Sequence, residues 1–331
     1  MSTLDLQYNQ LEDMIDLNDK SYQILVLNKN YLRYIPFECV PITVKHLSLD
    51  QNELKRLEID VPLPNLETLT AEMNHIRYVD LSVFLSSLHT LNLKKNKIEN
   101  LDFLVCMPSL KHLNLSFNSI QVLDKLPRTL ETLNVSFANV QLIQSRLPQG
   151  LVEATFVGNS LKMGSIPLNW GSSLRKLNLC DNLLTEFPKR LPETLEELHL
   201  QNNQIVEVPS KLPENLKVLN LSLNKIRSIP SKMNVRLQIL ALSNNQLTQD
   251  FSREKVTWCS HCIVQSNWNE TTHHNAQRVL RKCWKQYLLK IRCRHLYRAR
   301  KIYDELMMVA LHPDHILQTD VFSPEWSIRS V

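Results

Sequence analysis

Four glycines in 331 residues are too few for phosphate-cradling glycine loops to be a central device of this chain. No run of eighteen apolar residues occurs, so no transmembrane helix is expected. A secretory leader is not expected either, because Asp5, Glu12, Asp13, Asp16 and Asp19 fall in the first twenty residues. Cysteine is sparse and odd in number, at seven, which reads as reduced thiols rather than a disulfide framework. Together these absences favour an intracellular, cytoplasmic protein. Kinase, P-loop, hydrolase-elbow and metalloprotease motifs are also missing.

Leucine is what the chain has in excess: 58 residues, of which 51 lie in the first 250. They follow a repeat, L-x-L-x-x-N-x-L, which begins at Leu4, Leu6, Asn9 and Leu11. It returns at Asn30, Asn52, Asn74, Asn96 and Asn118, then at Asn159, Asn182, Asn203, Asn224 and Asn245. A twelfth copy, LNVSFANV, carries Ala138 in the asparagine position. The interval is 20 to 23 residues throughout.

Each part of the pattern has a physical reason. Alternation in L-x-L puts both leucines on one face of a short strand. A unit of this size cannot bury that face alone, so copies must stack into a parallel sheet over a shared core. The asparagine follows at a bend, where a buried amide satisfies backbone groups of its own and neighbouring turns. Ala138 interrupts that ladder and marks an expected weak joint.

These motifs resemble the leucine-rich repeat family across about residues 1–250. The resemblance implies a horseshoe solenoid with a concave parallel sheet. With proline-marked return segments and a helical tail, the expected fold class is an α/β repeat solenoid with a mostly non-helical convex side and a small C-terminal helical cap. Pro188, Pro209 and Pro230, like Pro192 and Pro213, recur at 21 residues and predict extended return segments. The units around FLSSLHTLNLKKNKI and LVCMPSLKHLNLSFNSI lack the proline pair and are expected to use short 3₁₀ turns. Such proline-marked repeats are similar to those of bacterial effectors and of leucine-rich repeat proteins from giant amoeba-infecting viruses. A viral source would place the protein in the host cytoplasm.

In this fold the concave face is expected to bind a macromolecular partner. The residues inside each L-x-L include Asn92, Asn114, Asn134, Asn178, His199 and Asn220, a row that is polar and almost uncharged. Phe117 and Phe137 hold the same position in adjacent copies. Two readings stay open for them: an aromatic anchor for a protein partner, or rings folded into the bend as packing. His199 has no regularly spaced second ligand and reads as a surface residue. Charges on this face are mixed, which argues against a phosphate backbone there.

The last segment differs. From Phe251 onward there are 13 basic and 7 acidic residues, and from Ala276 to Tyr303 ten basic and none acidic. HCIVQSNWN reads as a degenerate thirteenth strand, with Cys262 and Val264 in the leucine positions. Cys259, Cys262, His273 and His274 have the residue types of a zinc site, but the strand role of Cys262 and the adjacent histidines argue against one. No metal or cofactor is expected.

Residues 1–270 are thus expected to form the repeat domain, and 271–331 a basic helical region. Ala276, Val279, Leu280, Cys283, Trp284, Tyr287, Leu288 and Ile291 make an apolar helical stripe. That stripe suits a cap docked on the last repeats. The basic faces leave open nucleic acid or an anionic membrane as partners for 276–303. AQRVLRKCWKQYLL also resembles a degenerate IQ motif, which implies an EF-hand partner. Effector ubiquitin ligases use a C-terminal cysteine, but about 80 residues are too few for such a domain plus a cap. A non-enzymatic interaction protein is the expectation, with no catalytic residue.

Overall fold

The computed structural model describes residues 2–144, 146–231, 233–235, 237–247 and 259–263. A 13-stranded parallel sheet runs through them. Its strands are Thr3–Asp5, Ile24–Val26, His46–Ser48, Thr68–Thr70, Thr90–Asn92, His112–Asn114 and Thr132–Asn134, then Glu153–Thr155, Lys176–Asn178, Glu197–His199, Val218–Asn220, Leu237–Ala241 and Cys259–Ile263. Neighbours in sequence are neighbours in the sheet, apart from four short strands on the return side.

Period-two burial sets the register. Leu25, Leu47, Leu69, Leu91 and Leu113 lie opposite one another and are buried, while the residues on either side face outward. A second buried row holds Leu27, Leu49, Ala71, Leu93 and Leu115. Ala154 is small where other turns place leucine, and the fully buried Phe156 in the next row is large, which keeps the local core volume nearly constant. Cys262 pairs with Leu240, the leucine register expected for the thirteenth strand; Val264 lies outside the described residues.

The asparagines form the expected ladder. Asn74 Nδ2 donates to the carbonyls of Leu49 (2.9 Å) and Ala71 (3.2 Å), and its Oδ1 accepts from Leu54 N–H at 3.1 Å. Asn96 and Asn118 repeat the arrangement one turn on. Ala138 breaks it. The buried Ile120 stands where Ile98 donates to Asn118, yet its N–H has no acceptor among the described residues. Asn159 accepts from both Ala138 N–H (3.2 Å) and Val140 N–H (2.8 Å), as Asn30 does from Asn9 and Leu11 (3.0 Å each), so the gap at Ile120 stays open.

The return segments are mostly extended, and no α-helix occurs among the described residues. Around Pro188, Pro209 and Pro230 no helical turn forms. Proline carbonyls close tight turns instead: Pro192 accepts from Leu195, and Pro213 from Leu216, each at 3.1 Å. The expected 3₁₀ turn appears at Asp102–Cys106 but not in the FLSSL segment. There Leu85 N–H is taken by Cys106 of the next unit, leaving a single i→i+3 bond from Leu88. Two other 3₁₀ turns, Phe37–Cys39 and Met163–Ser165, sit beside prolines. Small parallel pairs, Arg56–Ile59 with Tyr78–Leu81 and Val122–Leu123 with Leu142–Ile143, complete the return side.

The helical cap, the stripe through Trp284 and Tyr287, the IQ-like segment and the histidines of the zinc-type motif all lie outside the described residues.

Candidate interaction surface

Every ladder residue is preceded by a residue in the left-handed region. Tyr8, Lys29, Gln51, Met73, Lys95, Phe117, Phe137, Asp181, Asn202, Leu223 and Asn244 have φ between 52° and 62°, and Gly158 has φ 65°. Only glycine adopts this backbone without strain, so eleven of the twelve turns carry a side chain there at a conformational cost. Sheet bonding extends into the bend and holds it: Phe117 N–H donates to Ser136 (2.8 Å) and Phe137 N–H to Val157 (2.7 Å).

That bend decides where Phe117 and Phe137 go. Their rings stack with centroids 4.9 Å apart and planes 19° apart. Both remain exposed, at 43% and 47%, so neither ring is folded into the core. Beyond Phe137 lies Gly158, the one turn whose pre-asparagine residue has no side chain. A Cβ there would come within 2.2 Å of the Phe137 ring. The absence of a Cβ is what lets the ring lie flat along the row.

The asparagines of the open face are half used by the fold itself. Asn92, Asn114, Asn134, Asn178 and Asn220 each accept, through Oδ1, the N–H two residues on, at 3.0–3.1 Å. In two turns the serine at that position adds its hydroxyl: Ser116 to Asn114 (2.7 Å) and Ser136 to Asn134 (2.8 Å). These Asx-type turns terminate the strands. The half that remains is the amide donor, and the Nδ2 groups of Asn114 and Asn134 have no acceptor among the described residues.

Charges flanking the strands are paired between neighbouring turns: Lys45 with Glu67 (2.7 Å), Lys94 with Glu72 (2.8 Å) and Lys111 with Glu131 (2.9 Å). His199 instead faces Glu197 of its own strand, its Nε2 3.8 Å from Glu197 Oε2. His199, helped by Lys176, holds the Glu197 carboxyl below the usual range. Asp50 behaves oppositely. Burial pushes its carboxyl up, although Glu72 N–H (2.6 Å) and the Thr70 hydroxyl (3.0 Å) donate to it.

The family model for leucine-rich repeats, in two copies, matches residues 86–125, the turns that include Asn96 and Asn118. Read with the 13-stranded sheet and its asparagine ladder, this decides the family. The chain is a leucine-rich repeat protein. No curated protein matches it. Among solved structures it is similar to a leucine-rich repeat protein of Leptospira interrogans, at 26% identity and a TM-score of 0.66, covering 80% of this chain and 78% of that one. The leucine-rich repeat domain of APL1B matches at 24% identity and a TM-score of 0.59, covering 74% and 76%. A chain from the complex of Latrophilin 3, Unc5D and the FLRT2 leucine-rich repeats matches at 22% identity and 0.67, covering 80% and 90%.

On the leucine-rich repeat sheet, the six polar candidates lie in one register row as two groups of three, Asn92 to Asn134 and Asn178 to Asn220, with Thr155 between the groups. Sequence reasoning missed Gly158, although it is the single glycine in the pre-asparagine position. It also missed that the asparagine acceptors are spent on the turn; the L-N-L-S and L-N-V-S spacing carried that signal. Cys180 occupies the equivalent serine position and is buried, which with the charge of Asp181 pushes its thiol up to about 12. A thiol that stays protonated is a poor nucleophile. Among the described residues no cluster of His, Cys, Asp or Glu has the makings of a metal site, and no helix is long and apolar enough to cross a membrane.

Proposed function

We propose that this protein is a non-enzymatic adaptor that binds a protein partner on the open, concave face of its leucine-rich repeats, with Phe117 and Phe137 at the centre of the contact. The observation that carries the reading is the stacked, exposed ring pair on a hydrogen-bonded sheet. A native fold exposes so much aromatic surface at a cost, and a partner that covers it recovers burial of about 25 cal/mol per Å². Aromatic anchors ringed by polar groups are the usual energetic centres of protein interfaces.

Around the rings, the free amide donors of Asn114 and Asn134 call for acceptors on the partner, such as backbone carbonyls. Asn92, Asn178, His199 and Asn220 extend that polar surround. The FLRT2 repeats, which share the fold, belong to a complex of three proteins, and this lends support to a protein as the ligand. We assign the work to the cell interior, and give residues 271–331 the role of a helical cap on a repeat domain of residues 1–270. The test is affinity capture with the full chain and with a Phe117→Ala, Phe137→Ala variant. One captured protein whose affinity falls by about 2 kcal/mol or more in the variant supports the reading; unchanged capture rejects it.

A further inference from the structure

We infer that a second site, away from the open sheet face, takes a polyphosphate group carried by a small soluble molecule. It lies where three successive turns leave their ladder asparagines for the return side. A cleft of about 430 Å³ opens there, lined by Lys55, Arg56, His75, Arg77, Tyr78 and Lys97, within the size range of small-molecule sites.

The lining is built on fixed backbone. His75 and Lys97 directly follow the ladder residues Asn74 and Asn96. His75 N–H donates to Leu54 (2.9 Å), Arg77 N–H to Lys55 (3.0 Å) and Lys97 N–H to Ile76 (2.8 Å). Arg56 and Tyr78 are register partners in the parallel pair on the return side. Leu54, Ile76 and Ile98, all buried, back the same turns. Side chains held on such a scaffold keep their spacing.

Charge in the cleft is unbalanced. Arg56 pairs with Glu58 at 3.2 Å and Arg77 with Glu99 at 3.1 Å. The ammonium groups of Lys55 and Lys97 have no acidic partner among the described residues, whereas Lys45, Lys94 and Lys111, which flank the sheet strands, each have one. Cations gathered in a concavity raise the local concentration of anions. Arginine forks and lysine point charges together are the usual means of holding phosphate. Lys55 and Lys97 belong to turns two apart, about 10 Å along the stack, so a run of phosphates matches their spacing better than a single one. Tyr78 is 59% exposed, with the Arg77 guanidinium 5.8 Å from its ring centre. It offers an apolar surface to whatever group carries the phosphates.

The test titrates sodium tripolyphosphate onto the full chain by calorimetry, with ¹H–¹⁵N spectra to locate the contact. Two double variants change the charge equally: Lys55→Glu with Lys97→Glu in the cleft, and Lys211→Glu with Lys225→Glu on later turns. The basic segment 276–303 is the same in both, so the difference reports on the cleft. The cleft variant should bind at least about tenfold more weakly and the control less than about twofold, with shifts centred on residues 55–97. If the cleft variant melts lower than the native chain, Lys55→Gln with Lys97→Gln replaces it. Equal loss in both variants, or no loss in the cleft variant, overturns the proposal. So does binding of phosphatidylserine vesicles that depends on Lys55 and Lys97 while tripolyphosphate does not bind, since the cleft would then read a lipid headgroup.

Discussion

The Phe137 ring covers the α-carbon of Gly158, so closely that a Cβ added there would fall 2.2 Å from the ring. The missing side chain of one turn therefore seats the aromatic pair of the two turns before it. Gly158→Ala should displace the ring, which is free to rotate, and add strain at φ 65°. The expected loss is about 1–2 kcal/mol of stability, read as a modest fall in melting temperature. Partner affinity should fall as well, although residue 158 supplies no side-chain contact of its own. A Gly158→Ala chain that binds as well as the native one would detach the ring geometry from binding.

Ala138 leaves Ile120 N–H without an acceptor in an otherwise continuous ladder. Ala138→Asn should close the gap and stabilise the chain by about 0.5–1.5 kcal/mol. Asn74→Ala should do the reverse. It removes the acceptor for Leu54 and costs about 1–3 kcal/mol. Denaturant midpoints of the two variants should move in opposite directions. A destabilised Ala138→Asn would mean the surrounding core has closed over the site.

Cys180 holds its proton up to about 12 because it is buried beside Asp181. In the unfolded chain the same thiol ionises near its usual value of about 8.5. Above that point the unfolded state binds fewer protons than the folded one, so stability falls as pH rises through the window to about 12. The slope from this group is at most about 1.4 kcal/mol per pH unit. Cys180→Ser places there the residue that Ser116, Ser136 and Ser222 already supply in other turns. It should fold normally and lose stability less steeply in alkali. Identical alkaline slopes for the two proteins would contradict the burial argument.

The fold was legible because its two signals are both consequences of burial. Leucines spaced by two can share a core only from a strand, and an asparagine recurring at 20–23 residues has a ladder to satisfy. Even the weak thirteenth strand was placed in register, with Cys262 opposite Leu240. The adjacency of Phe117 and Phe137 follows from the same spacing.

Their exposure does not follow from spacing. It depends on a left-handed bend shared by every turn and on the lack of a side chain at Gly158, neither of which is a matter of hydrophobic period. The cleft at Lys55, His75 and Lys97 escaped notice for a related reason. Its members come from three turns and form no linear motif. Short 3₁₀ turns were the least legible elements, since a single competing bond, Leu85 to Cys106, decides between turn and extended chain.

The most direct test of the adaptor reading is site-specific photocrosslinking in the full chain. A benzophenone amino acid replaces Phe117 or Phe137 in turn, keeping an aromatic side chain in the row, and Val206 on the return side serves as the exposed control. The account predicts the same protein adduct from positions 117 and 137 and none from 206. Adducts formed equally at all three positions, or at 206 alone, would contradict a partner held on the open face of the repeats.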